Sequence, residues 1–96
     1  MKIVFKVTSE NKQKAEDLLK KDDEISRGSI TIRSASSVEI NENCYFILVD
    51  AGSEIIEKAK HMLKDITEVY KHADMVIEKI AEQEDTATEG LGSILG

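Results

Sequence analysis

The stretch SEIIEKAKHMLKDITEVYKHADMVIEKIAEQ, residues 53–83, decides the fold that the sequence predicts. Apolar side chains recur in it at alternating spacings of three and four residues, the repeat of a helix that buries one face. The row consists of Ile56, Ala59, Leu63, Ile66, Tyr70, Ala73, Ile77 and Ile80. A second row beside it consists of Ile55, Met62, Val69 and Val76. Because neither glycine nor proline interrupts the run, it predicts one amphipathic helix of about 46 Å.

The same stretch also allows an alternative to a continuous helix. Residues 66–71 are rich in side chains that favour strands, so they would form a fourth strand followed by a third helix. We prefer the continuous helix, because the three-four spacing crosses these residues without a shift of phase.

The residues before this stretch predict three strands and one helix. Residues 1–8 alternate as a half-buried strand, and Ser9 can cap a helix that runs to about Lys21. Residues 29–40 alternate without interruption and predict one long second strand, with a bulge or break at residues 34–37 as the competing interpretation. Residues 44–50 are apolar on both faces, which is typical of a central, covered strand.

These elements predict an α+β fold in the order β-α-β-β-α. Short connections place the third strand between the first two in a three-stranded antiparallel sheet, with two helices on one face and a long C-terminal helix. This arrangement is a ferredoxin-like unit that lacks its last strand. We expect residues 1–85 to form a single α+β domain and residues 86–96 to be a flexible, glycine-containing tail.

Cysteine usage and hydropathy bear on where the protein works. The single cysteine, Cys44, cannot form an internal disulfide and lies in a predicted strand, so we interpret it as a buried structural thiol in a reducing compartment. No window is long and apolar enough to span a membrane, and the chain opens as a strand rather than a signal peptide. The sequence therefore predicts a cytoplasmic protein without a membrane partner.

Charge is distributed unevenly along the chain. The net charge is −6, and residues 74–96 carry six acidic side chains against one lysine. Basic side chains are concentrated on the predicted helices and would form an RNA-facing patch if they gathered on one side. They are Lys12, Lys14, Lys20, Lys21, Arg27, Lys58, Lys60 and Lys64. Lysines in this setting more often form a solvated face, and no aromatic side chains interleave them to stack on bases.

The sequence offers no pattern for catalysis, a metal or a cofactor. His61 and His72 are eleven residues apart, which places them about 16 Å from each other on a helix. The acidic run of residues 22–24 lacks the ligand spacing of a calcium loop and predicts a solvated turn or a partner-facing corner. We therefore predict a non-catalytic protein with no cofactor.

The length of the predicted helix points to association. Strands of about seven residues span about 23 Å, so the sheet would cover only the first half of the helix. The second half would then form the interface with a second copy or a partner, through Tyr70, Ala73, Val76, Ile77 and Ile80. This pattern predicts a homodimeric scaffold or interaction protein. The alternative function is a ferredoxin-like regulatory module that binds a small molecule.

Three segments resemble the small dimerising subunit of the KEOPS complex, which makes threonylcarbamoyladenosine in tRNA. Residues 14–24, KAEDLLKKDDE, are similar to that family's first helix and acidic turn. The hairpin of residues 30–50 is similar in kind, and Lys58-Ala59 stands where the family's last helix opens with Arg-Ala. The resemblance covers about residues 1–82. It implies a homodimer that holds the ATP-dependent threonylcarbamoyltransferase subunit and contacts tRNA only indirectly or weakly.

Overall fold

The computed structural model describes residues 1–83. The strands are β1 (Lys2–Val7), β2 (Ser29–Ser34), β3 (Tyr45–Asp50) and β4 (Glu68–Val69). The helices are α1 (Ser9–Lys21), the short α2 (Asp23–Ser26), a 3-10 turn (Ser36–Val38) and α3 (Ser53–Leu63), followed by α4 over residues 73–83. The predicted tail, residues 86–96, lies outside the described residues. Within residues 1–83, the structure has no helix long and apolar enough to cross a membrane.

The sheet is antiparallel, with the strand order β2-β3-β1-β4. The α+β class and the position of β3 between β1 and β2 are confirmed. The predicted three-stranded sheet is wrong, because β4 pairs with the free edge of β1 through Phe5–Val69 and Lys6–Glu68. The succession β-α-β-β-α-β therefore includes the last strand of a ferredoxin-like unit.

One face of the sheet is covered by α1 and α3, as the sequence predicts. Alternate residues of β1 and β3 point to this face because side chains along a strand alternate between its two sides. The buried cluster that they form with the helices consists of Ile3, Phe5, Val7, Ala15, Leu19, Ile25, Ile47, Val49, Ile56, Ala59 and Leu63. The first half of the predicted seam, from Ile56 to Leu63, is thus core.

The seam does not continue as one helix, and the prediction of a single long C-terminal helix is wrong. The carbonyl oxygen of Leu63 accepts hydrogen bonds from the backbone N–H groups of Ile66 at 3.1 Å and Thr67 at 2.9 Å. The Thr67 hydroxyl also donates to it at 2.8 Å. The Thr67 hydroxyl thus adds a bond to a carbonyl that already accepts the Thr67 N–H, an arrangement that bends a helix. Helix α3 ends at Leu63. The chain then extends as β4, within the segment that the alternative interpretation assigned to a strand.

Helix α4 covers the opposite face of the sheet, so the predicted placement of all helices on one face is also wrong. Its Val76 and Ile80 are buried in a second apolar cluster. The other buried members are Val4, Ala35, Val38, Cys44, Phe46 and Leu48. The apolar second face of β3, which the sequence displays, is therefore covered by the chain's own last described helix.

Strand β2 ends at Ser34 instead of continuing to Ile40, which bears out the competing interpretation of a break. Ser34 and Ser37 bond to each other's backbone: the Ser37 N–H donates to Ser34 Oγ at 3.3 Å, and Ser37 Oγ donates to the Ser34 carbonyl at 2.7 Å. Serines favour such local bonds over a strand ladder. Glu39 follows in the left-handed conformation, with φ 62°, and reverses the chain direction.

Candidate functional site

Strand β2 forms a six-residue edge of the sheet. The Ala35 N–H donates to the Cys44 carbonyl at 2.9 Å, which fixes the alternation of the ladder with β3. In an antiparallel pair, every second residue bonds to the neighbouring strand. The backbone groups of Ile30, Ile32 and Ser34 therefore point away from the sheet. Within residues 1–83, no group bonds to the N–H of any of these three residues.

Two carbonyl oxygens on this edge already have local donors. Arg33 Nη1 donates to the Ile32 carbonyl at 3.0 Å, and the Ser37 hydroxyl donates to the Ser34 carbonyl at 2.7 Å. A carbonyl oxygen has two lone pairs, so these bonds leave room for a second donor. The side chains of Ile30 and Ile32 are half-buried against the α1–α3 side of the core.

The opposite edge, β4, is only two residues long. The Tyr70 N–H donates to the Val4 carbonyl at 2.9 Å, so Glu68 and Tyr70 face β1 and the backbone of Val69 points outward. The Val69 side chain is 51% exposed. Such a short edge offers much less backbone for pairing than β2.

A polar cluster lies beside β4, on the α4 side of the sheet. Lys6 forms an ion pair with Glu42, and the Tyr70 hydroxyl donates to the other Glu42 carboxylate oxygen at 3.1 Å. The Tyr70 ring packs on Phe46, with 4.6 Å between ring centroids, and meets His72 edge-on at 5.9 Å. Tyr70 therefore connects the apolar core under α4 to a charged surface.

The contacts of this cluster shift the pKa values of its members. The hydrogen bond from Lys6 lowers the pKa of Glu42, and the same bond raises the pKa of Lys6. Burial, followed by the bond to Glu42, raises the pKa of Tyr70. Burial also raises the pKa of Cys44, a free and buried thiol as the sequence predicts. A thiol with a raised pKa is a weaker nucleophile at neutral pH.

The lowered pKa of Glu42 predicts a loss of stability in acid. Its contribution is fully present above the ordinary carboxyl value of 4.5 and disappears as the pH falls through the lower folded value. We expect the Glu42→Gln variant to show a shallower fall in unfolding temperature between about pH 5 and pH 3 than the parent. Thermal unfolding followed by circular dichroism measures this slope, with Glu54→Gln as a control for removing one exposed carboxylate. Equal slopes for the parent and Glu42→Gln would contradict the assigned contact.

Two surface cavities flank the cluster and share Lys6 and Glu68. The larger, about 420 Å³, is lined by Lys6, Thr8, Lys64, Asp65, Ile66, Thr67 and Glu68. The smaller, about 190 Å³, is lined by Lys6, Glu68, Val69, Tyr70, Lys71 and His72. Their linings mix lysines with carboxylates, so they combine hydrogen-bond donors and acceptors. A small zwitterionic or polar molecule matches this chemistry better than a strongly anionic one.

The structure places the predicted interface residues in the interior of one chain. Val76 is fully buried and Ile80 is 2% exposed. Tyr70, Ala73 and Ile77 are half-buried against the same cluster. These contacts remove most of the apolar surface on which the predicted helix-mediated interface depends.

The basic residues of the predicted patch are spread over α1, α3 and the ends of α2 and α3. Several of them contact acidic or aromatic neighbours. Lys58 bonds to Asp22 at 2.8 Å and Glu24 at 3.3 Å, Lys20 to Glu16 at 3.3 Å, and Lys60 to Glu57 at 3.3 Å. Lys12 lies 5.2 Å above the centre of the Tyr45 ring. Lys14, Lys21, Arg27 and Lys64 are exposed. An RNA-facing role stays a prediction, and the interspersed carboxylates make this side electrostatically mixed.

The acidic run of residues 22–24 has a structural role. The Asp22 carboxylate accepts hydrogen bonds from the backbone N–H groups of Glu24 at 3.0 Å and Ile25 at 3.1 Å, so it caps α2. The bond from Lys58, followed by that of the Ile25 N–H, lowers the pKa of Asp22. The run therefore joins α2 to α3. Among residues 1–83, no group of three or more His, Cys, Asp or Glu side chains is arranged to hold a metal ion.

Sequence reasoning did not identify the Lys6–Glu42–Tyr70 cluster. Its two bonded pairs, Lys6–Glu42 and Glu42–Tyr70, are 36 and 28 positions apart in sequence, and no local pattern connects them. The one available signal is a strand-favouring segment around Tyr70, which the alternative interpretation assigned to β4. No protein-family model matches the chain, and neither the curated proteins nor the solved structures contain a significant match.

Proposed function

We propose that this chain is a non-catalytic interaction protein that acts as a homodimer and holds a larger protein partner. The observation that supports the proposal is the open β2 edge, where three successive outward residues expose backbone N–H groups. An exposed edge recruits a strand from another chain because main-chain hydrogen bonds supply affinity. Both apolar faces of the sheet are covered by the chain's own helices, so the edges and the outer helical surfaces remain for partners.

The homodimer predicts a sedimentation result. We expect the chain to sediment as a dimer at tens of micromolar, because a six-residue edge offers enough hydrogen bonds and side-chain pairs to hold two copies together. Analytical ultracentrifugation over a concentration series measures this association. A clean monomer throughout the series would contradict the homodimer.

A more specific form of the proposal follows the family resemblance. The partner would then be an ATP-dependent threonylcarbamoyltransferase subunit, held by α1 and α3, with tRNA contacted only indirectly. The fourth strand is a departure from the fold that the resemblance implies. Affinity purification of the tagged chain from native extract tests this form. A co-purifying ATPase-like protein in stoichiometric amount would support it, and purification of the chain alone would count against it.

A second candidate function is a regulatory module that binds a small molecule. The observation that favours it is the pair of adjoining cavities beside β4, which share Lys6 and Glu68. A thermal-shift screen of small metabolites distinguishes the two candidates. Lys64 lines the larger of the two cavities and not the smaller. A stabilising hit that is lost in Lys64→Met would therefore place the molecule in the larger cavity and support the module.

A further inference from the structure

We propose that two copies of this chain pair through β2, antiparallel about a two-fold axis at Thr31, so that two four-stranded sheets become one continuous sheet. This inference rests on the proposed homodimer, and it names the partner and the strand register at the open edge. Most soluble homo-oligomers are closed and symmetric, and a two-fold axis perpendicular to the sheet makes like strands run antiparallel.

The register follows from which residues point outward. With the axis at Thr31, Ile30 lies opposite the partner's Ile32, and Ile32 lies opposite the partner's Ile30. These are the residues whose backbone groups face away from β3, so both pairs exchange N–H and carbonyl hydrogen bonds. Cross-strand pairs of β-branched side chains stabilise a sheet. The pairing also covers the outer sides of two isoleucines that are half-buried at the edge.

Neighbouring registers fit the sequence less well. An axis at Ile30 sets Ile32 opposite the partner's Gly28, which has no side chain to pair with it. An axis at Arg33 places two Arg33 side chains opposite each other. Like charges directly opposite each other destabilise a pair of strands. An axis at Ile32 pairs Ile30 with the partner's Ser34 and so keeps one isoleucine pair instead of two. The axis at Thr31 instead sets Gly28 opposite the partner's Ser34, a pair of small residues.

Charge complementarity favours a second copy as the occupant of this edge. In the Thr31 register, Arg33 lies opposite the partner's Ser29, and Ser29 pairs with Asp50 on the next strand within each copy. The partner's Asp50 is therefore two strand spacings from Arg33, about 10 Å between backbones. An extended arginine side chain reaches this far over a serine. In the paired state, Arg33 would exchange its bond to the Ile32 carbonyl for the partner's carboxylate, and the partner's Ile30 N–H would donate to that carbonyl instead. The Asp50 carboxylate lies 3.7 Å from the N-terminal amino group and its side chain is 44% exposed, so it can accept a second cation from the partner.

Disulfide trapping tests the register. At the axis, Thr31 and the partner's Thr31 form a non-hydrogen-bonded pair with Cα atoms about 4.5 Å apart, within the range that a disulfide bridges. We expect the full-length Thr31→Cys variant to form a covalent dimer with copper–phenanthroline as oxidant. Ser29→Cys should not, because its Cα would lie about 13 Å from the partner's Ser29. Val69→Cys reports pairing through the β4 edge, and the parent chain reports background from the buried Cys44.

A second variant tests the same contact without a covalent bond. Thr31→Arg places two like charges opposite each other at the axis while leaving a half-exposed side chain within each copy. We expect it to keep the parent's circular dichroism spectrum and to weaken association about fivefold or more.

The outcomes separate this inference from the proposed function. Crosslinking at Thr31 alone, with weakened association of Thr31→Arg, supports the β2 register. A sedimenting dimer that crosslinks at Val69 or Ser29 and not at Thr31 overturns the register and leaves the homodimer standing. A chain that is monomeric by sedimentation and does not crosslink overturns both the register and the homodimer.

Discussion

Replacing Val76 with Asp should destabilise the single subunit by about 3–5 kcal/mol, because the carboxylate would be buried without a partner. Val76 is fully buried between α4 and the sheet, in the cluster that contains Phe46 and Leu48. A domain of this size has a total stability of about 5–15 kcal/mol, so the loss is a large fraction of it. Urea unfolding followed by circular dichroism measures the change.

The neighbouring residue supplies a matched control. Met75 is on the same helix and is 54% exposed, so Met75→Asp should change the stability by no more than about 0.5 kcal/mol. A continuous helix that extends past the sheet predicts a different result, in which Val76→Asp dissociates copies without unfolding them. If the two variants unfold at the same urea concentration as the parent, α4 does not pack on the sheet.

The second large effect is expected on the other face of the sheet. Leu63→Ala should destabilise the subunit by about 2–5 kcal/mol, since it removes buried methyl groups and leaves a cavity. Leu63 is fully buried at the end of α3. His61→Ala, on the exposed side of the same helix, is the control. Since alanine has a higher helix propensity than leucine or histidine, neither substitution weakens the helix itself. A change of similar size in both variants would therefore contradict the packing assigned to Leu63.

The wrong prediction of one continuous helix over residues 53–83 has a physical explanation. Leu63 and Val76 belong to apolar rows that continue with helical spacing through residues 64–72, although those residues form a turn, a short strand and a second turn. Periodicity reports which side of a helix is apolar, and it does not report whether the backbone remains helical between two such segments. The edge of β1 favours a strand here over a continuous helix, because its unpaired backbone groups gain partners when Glu68 and Val69 extend alongside it.

The candidate sites differ in how far the sequence indicated them. The alternation of Ile30 and Ile32 with Thr31 and Arg33 predicted a strand, and the central position of β3 followed from its two apolar faces. Together these features place β2 at an edge. The Lys6–Glu42–Tyr70 cluster could not be anticipated in the same way, since it requires the loop before β3 and the segment after β4 to meet at one end of the sheet.

By itself, the sequence determined the elements that depend on local chemistry. Alternation specified β1 and β3, and the three-four spacing specified α3. Alternation alone ran past the end of β2, which the structure places at Ser34, where only the competing interpretation had a break. Tertiary structure alone decided that the last apolar segment covers the second face of the sheet. The reason is that both halves of the apolar stretch have the same local pattern. Only the surface against which each half packs distinguishes them: Leu63 of α3 packs on one face of the sheet, and Val76 of α4 packs on the other.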